Sequence, residues 1–346
     1  MEQNNTVSKF EAVSVMVNLL CCKLFMLTPA FFIQNAKSAA LLTVLCIFII
    51  AFLFFFIFQR KANCDLFSKI HSTILKRLFH FISLVLILFC CTVNFSLLIY
   101  FFKLLAFPRS PYLFLAIPFA LSIIVCAKGG IKNVGKTNGF FVPFIFVVLL
   151  IMLVSQYKNF SFSNLFPFFG KSISQTAFSI IYMLSALSEI LIIFYLAPYC
   201  ESDIYTVAKP ALCISCIIYL VVIGTVLLME NFGYTPAVFS IMRNGFSGRT
   251  DGVFLFLCAL SGMLYLSALL YFTVDIFHNT FGTDKNAPLL IPFTLLIITF
   301  SEITFLNPEG QNFLKQAGIF LWLFPFIVPL LLMLLPQKKK EDVPRA

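Results

Sequence analysis

Long apolar runs, each near the length of a bilayer crossing, alternate with short polar connections along the whole chain. A spanning helix needs about 20 mostly apolar residues, and ten stretches approach or meet that length. They run over Val13–Phe32, Ala39–Phe58, Leu78–Phe102, Tyr112–Ala127, Phe140–Ser155, Ile173–Tyr199, Ala211–Met229, Val253–Phe277, Leu289–Phe305 and Gly318–Leu335. The polar interruption Lys128 to Asn138 separates the fourth from the fifth. The start, Met1 to Ser8, is polar and lacks the basic segment that opens a cleavable leader. The first apolar stretch is therefore expected to stay in the membrane. The longest connections are Gln59 to Arg77 and Glu230 to Gly252, too short for a second domain; the latter, with Gly233, Pro236, Gly245 and Gly248, reads as an irregular outer cap.

Composition agrees with this reading. Of 346 residues, 61% are hydrophobic and only 11% are charged, against about a quarter charged in a soluble domain. Soluble enzymes, secreted disulfide scaffolds and disordered chains are excluded, and the fold class is all-α integral membrane. The 46 Phe supply bulk for lipid-facing and packing surfaces without pointing to a ligand. Most of the 11 Cys lie in apolar stretches, where they act as small hydrophobes.

The net charge of +10 orients the spans. With both termini inside, the inner segments carry fifteen basic residues and the outer segments eight, which favours cytoplasmic termini. Lys338 to Lys340 form a basic tail suited to anionic lipid. No basic domain suited to nucleic acid is present.

Charged groups inside a span are costly and commonly functional. Two stand out. Lys23 lies mid-span in Asn18-Leu-Leu-Cys-Cys-Lys-Leu-Phe-Met-Leu-Thr-Pro29, and Glu189 in Tyr182-Met-Leu-Ser-Ala-Leu-Ser-Glu-Ile190. Each is near a helix-disrupting feature: Pro29 in the first span, and Ser185, Ser188 and Pro198 in the sixth. Matched features five spans apart predict a 5+5 inverted repeat with discontinuous helices one and six, and a site between them. The repeats would cover about 9–157 and 172–336, with a tail over 337–346, all in one membrane domain. Lys23 and Glu189 are expected to pair across the centre. Asn94 and Ser96 in the third span, and Tyr265 and Ser267 in the eighth, are weaker polar signals that interhelical hydrogen bonding explains as well. Asp275 and Glu302 fall near helix ends, and His71, His80 and His278 near membrane edges. No cluster has metal-ligand spacing, so neither a metal nor another cofactor is expected.

Gly130-Ile-Lys-Asn-Val-Gly135-Lys136-Thr137 spells a phosphate-binding loop. That chemistry needs a strand before the loop and a β/α domain around it. Here a membrane helix leads in and another follows, so the segment reads as a tight basic turn. Cys213-x-x-Cys216 lies in an apolar helix and is rejected as a redox motif on the same ground.

Three segments carry a resemblance. They are Cys22-Lys-Leu-Phe-Met-Leu-Thr-Pro29 with Ala36-Lys-Ser-Ala-Ala40, Asn164-Leu-Phe-Pro-Phe-Phe-Gly170, and Ser188-Glu-Ile-Leu-Ile-Ile-Phe-Tyr-Leu-Ala-Pro-Tyr199. The chain resembles the B-subunit, or germination permease, family of bacterial spore nutrient receptors, which is similar to amino-acid permeases of the amino acid–polyamine–organocation superfamily. The resemblance implies ten helices in a leucine-transporter-like arrangement. It also implies a small nutrient, typically an amino acid, held between helices one, three, six and eight. Cys21, Cys22, Lys23 and Leu24 fall on the first break and Ser185, Ser188 and Glu189 on the second, with Asn94 and Tyr265 flanking them. The implied partners are an A-type membrane subunit and a C-type lipoprotein, and the implied location is the spore inner membrane. Many such permeases have a glycine-rich first break, whereas this chain has Cys21-Cys22-Lys23. The lysine could take a cation position in place of Na⁺ coupling, or could block ordinary substrate binding. The expected function is nutrient sensing rather than catalysis; a proton-coupled amino-acid or amine permease and a purely structural scaffold are the competing readings.

Overall fold

The computed structural model describes residues 6–25, 28–61, 73–154, 160–166, 173–229, 250–283, 288–306, 325–327 and 329. Among these the chain is helical, with one isolated bridge between Val7 and Cys200. The helices are α1 (Lys9–Cys21), α2 (Thr28–Ala36), α3 (Ala40–Lys61), α4 (Thr73–Leu105), α5 (Tyr112–Lys128), α6 (Gly130–Val154), α7 (Ile173–Met183), α8 (Ile192–Leu196), α9 (Ile204–Leu228), α10 (Thr250–Phe281) and α11 (Leu290–Leu306). Six continuous helical stretches in this set are long and apolar enough to cross a membrane, and α5 and α11 are shorter apolar helices. The first predicted span is the broken pair α1 and α2. The tenth, Gly318–Leu335, lies almost entirely outside the described residues, as do the cap over 230–249 and the basic tail.

Local chemistry sets the helix starts. Ser8 Oγ accepts from the Glu11 N–H, and Glu11 returns the bond to the Ser8 N–H at 2.9 Å, a reciprocal capping box for α1. Asp203 caps α9 by accepting from the Tyr205 N–H. Several helices outrun the apolar stretches that announced them. α6 begins at Gly130 rather than Phe140, so the supposed basic turn is the first two turns of a helix. Backbone hydrogen bonding does not stop where side chains become polar, and Asn138 and Thr137 return bonds to carbonyls one turn back. The reversal between α5 and α6 is made at Gly129 and at Gly130, whose φ of 76° lies in the left-handed region that glycine tolerates.

α6 also explains its own glycines. A Cβ on Gly135 would meet Val7 Cγ1 at 3.0 Å, and one on Gly139 would meet Glu11 Cγ at 3.4 Å. Small residues four apart let two membrane helices approach closely, and here they admit α1. The letters of a phosphate loop are spent on helix packing.

The central scaffold is α4 against α10. Around it α5 packs on α10 and α11, α11 packs on α4, α1 packs on α6 and α9, and α3 packs on α7 and α9. Large side chains fill these contacts: Tyr219, Tyr265, Phe25, Phe32, Phe95, Phe101, Phe254 and Phe272 are fully buried. Phe32 and Phe48 meet Tyr219 edge-on at 5.9 and 5.3 Å, joining α2, α3 and α9. Phe114, Val125, Phe140 and Phe178 are among the apolar side chains on the outer face, as a lipid-facing surface requires.

Candidate functional site

α1 stops at Cys21, and Cys22–Phe25 tighten into a 3₁₀ turn before α2. Pro29 contributes to the break because it has no N–H to offer the preceding turn. A terminating helix leaves carbonyls without partners, and one of them, Leu20 O, is taken by the Tyr219 hydroxyl of α9 at 2.8 Å. The sixth predicted span is interrupted in the same way. α7 ends at Met183, Leu184–Leu191 follow as a 3₁₀ segment, and Leu187 departs from helical geometry with φ −104° and ψ 20°. Cys21, Cys22 and Leu24 line the first break and Ser185, Ser188 and Glu189 the second; all six are buried.

The two breaks meet. Lys23 Nζ lies 2.5 Å from Glu189 Oε2, with side-chain exposures of 12% and 1%. The same oxygen accepts from the Ser188 hydroxyl at 3.0 Å, and Oε1 accepts from the Tyr265 hydroxyl at 2.6 Å. Asn94 donates to Tyr265 Oη at 2.9 Å and to the Cys90 carbonyl at 2.8 Å. Cys90 Sγ and Ser188 Oγ are 3.9 Å apart. The first break, the second break and α10 thus converge on one carboxylate, and α4 supports it through Tyr265 and Ser188. The burial of Glu189 is tolerable because its charge has a cation and two hydroxyl donors.

Not every anticipated residue joins this network. Ser185 is buried nearby but makes no hydrogen bond to it among the described residues. Ser96 turns to the Ser301 carbonyl of α11, and Ser267 bonds within its own helix. His80 of α4 is buried, with Nδ1 3.0 Å from the Tyr195 hydroxyl of α8, apart from this network. Asp275 does sit near the end of α10, where it accepts from Tyr199 at 2.8 Å.

A second buried polar cluster lies on the α1 side of the first break. Asn18 Nδ2 donates to Asn138 Oδ1 of α6 at 3.0 Å and to the Ser261 carbonyl of α10 at 3.3 Å, while the Ser261 hydroxyl donates to Asn18 Oδ1 at 2.8 Å. Asn18 O also accepts the N–H of Cys22, the last helical bond before the break. The cluster therefore fixes the end of α1 to two neighbouring helices. Asn18 lies inside the first predicted span without standing out by charge, and Asn138 sat in a run read as a turn.

Among the described residues no group of three His, Cys, Asp or Glu is placed to hold a metal ion, and the described cysteines are free thiols.

Helical throughout nearly all its described residues, with six helices long and apolar enough to cross a membrane and two predicted spans broken around a buried ion pair, the chain is built as an integral membrane protein. It belongs to the spore germination protein family, in the spore permease group: the family's sequence pattern matches residues 6–308. No curated protein matches the chain.

Proposed function

We propose that the protein is the membrane subunit of a spore germinant receptor, which binds a small nutrient at the Lys23–Glu189 network and passes the event on as germination signalling. The observation that carries this reading is the ion pair joining the two broken spans. Charges are held in a membrane interior chiefly where they bind, couple or move something. A zwitterionic amino acid could exchange with the pair, its carboxylate going to Lys23 and its ammonium to Glu189. Such an exchange keeps every buried charge compensated.

A 5+5 inverted repeat is part of the proposal, and helix packing supports it. Exchanging each span with the one five later sends α4 against α10 onto itself, and likewise α3 against α9 and α5 against α11. It sends α5 against α10 onto α4 against α11, and α1 against α9 onto α3 against α7, and all of these contacts occur. The basic-residue asymmetry favours cytoplasmic placement of both termini, which is part of the same reading. By the family resemblance the protein works with A-type and C-type receptor subunits in the spore inner membrane.

A carboxylate that can take a proton favours a second reading, a proton-coupled amino-acid or amine permease. A labelled amino-acid panel on the purified protein in liposomes, with and without a proton gradient, separates the two. Binding without flux is expected of the receptor, whereas gradient-driven uptake would identify a permease. Glu189→Gln is expected to impair nutrient response or uptake while leaving membrane insertion intact. Normal response at normal expression would remove Glu189 from the site.

A further inference from the structure

Just ahead of α1 the chain reaches across to the far end of the other broken span. The Val7 N–H donates to the Tyr199 carbonyl at 2.8 Å, and the Val7 carbonyl accepts from the Glu201 N–H at 3.2 Å. The Thr6 hydroxyl donates to Glu201 Oε1 at 3.0 Å. This is the one strand-like pairing among the described residues. Val7 is fully buried, seated against Gly135 of α6. Tyr199 carries the joint on to α10, where its hydroxyl donates to Asp275.

α1 has no need of these bonds. Its start is already completed by the Ser8–Glu11 capping box, and residues ahead of a domain's first element ordinarily fray unless something ties them down. What the bonds hold is the end of the sixth predicted span, where α8 passes into the 3₁₀ turn Ala197–Tyr199. The half of span one that is α1 and the half of span six that is α8 are thus joined at two places. Lys23 and Glu189 join them at the breaks, and Val7 joins them at the other end. Between the two joints each packs chiefly on other elements: α1 on α6 and α9, and α8 on α10 and its adjoining turns. The seam between them runs from the membrane face where α1 starts to Cys22, Lys23 and Glu189.

We propose that Thr6 and Val7 form a strap that closes this seam and keeps water on that face from the two breaks. Anything passing between that face and the ion pair requires the strap to lift. Backbone pairing at a membrane surface suits such a part. Once lifted, the freed N–H and C=O groups are satisfied by water, so opening strands no polar group in the interior. The strap rests on the nutrient-site reading only for what the seam would admit. Its closing action needs no nutrient, and neither does its test, so the two readings fail separately.

The native thiols report on it. Cys22 at the first break is fully buried; Cys91, also buried, lies in the α4–α10 scaffold with Sγ 4.0 Å from Thr273 Oγ1, away from the seam. The full-length protein in lipid nanodiscs is pulsed with a quaternary-ammonium methanethiosulfonate, which reaches thiols only through water, and each cysteine is scored by mass spectrometry. Deletion of Glu2–Val7 removes the three strap bonds and keeps the Ser8 cap. It is expected to speed labelling of Cys22 by about tenfold or more, since each bond contributes roughly fivefold to an equilibrium, and to leave Cys91 unchanged. Val7→Pro removes only the N–H given to Tyr199 and should speed Cys22 by less, again sparing Cys91. A Cys22 rate unchanged in either variant would overturn the proposal. So would a rise at Cys91 in step with Cys22, which marks general loosening rather than an opened seam.

Discussion

Lys23→Met and Glu189→Gln, singly and together, probe the pair that joins the two broken spans. At 2.5 Å the attraction between two unit charges is about 7 kcal/mol at an effective dielectric near 20, before desolvation is counted. Removing one partner leaves the other charge buried and unpaired, which typically costs about 3–5 kcal/mol. Lys23→Met would leave Glu189 with only Ser188 and Tyr265 as partners. Glu189→Gln would leave an ammonium with an amide oxygen in place of its carboxylate. Removing both leaves no buried charge, and such replacements are often close to neutral. The single variants should therefore each lose about 3 kcal/mol, and the double variant less than either. The difference is a coupling energy of at least about 3 kcal/mol in a double-mutant cycle. Equilibrium unfolding in mixed micelles, followed by circular dichroism, would measure it. Strictly additive losses, or single losses below about 1 kcal/mol, would show that the pair does not hold the breaks together.

Asn18→Ala strips the cluster at the end of α1 and leaves Asn138 and the Ser261 hydroxyl without their partner; a loss of about 2–4 kcal/mol is expected in the same unfolding assay. Gly135→Val should push α1 off α6 and lower thermal stability, because even a Cβ there meets Val7 at 3.0 Å, whereas Gly139→Ala should be close to neutral, its nearest contact being 3.4 Å. Calorimetry with ATP and Mg²⁺ should detect no binding, since the residues that would cradle phosphate are turns of a helix.

What could be read from the sequence follows the physics of each feature. A stretch of about 20 apolar residues announces a membrane crossing without help from the rest of the chain. A lysine or glutamate inside such a stretch stands out because its cost is large, so Lys23, Glu189 and their pairing were legible. The Asn18–Asn138–Ser261 cluster was not. Neutral polar groups barely alter hydropathy, and their partners lie 120 and 243 residues apart, which only the packed helices bring together. Tyr219 gave no signal because an aromatic residue in an apolar helix looks like any other packing group, yet its hydroxyl closes a helix end. The extent of α6 was misread because a polar, glycine-bearing segment suits a turn as well as a helix start, and its packing against α1 decides the matter.

The 3₁₀ geometry of Leu184–Leu191 has a mechanical meaning. Such a helix rises about 2.0 Å per residue with three residues per turn, against about 1.5 Å and 3.6 for an α-helix. Over these eight residues the difference amounts to about 4 Å of length and roughly 160° of rotation. The segment is a screw thread with two pitches. The bonds from Lys23, Ser188 and Tyr265 all grip Glu189 on that thread, holding it at the longer, narrower pitch. A molecule that loosened their grip would not need to push α8. Rewinding the thread toward α-helix would draw α8 inward and turn Tyr195 away from His80 in one motion.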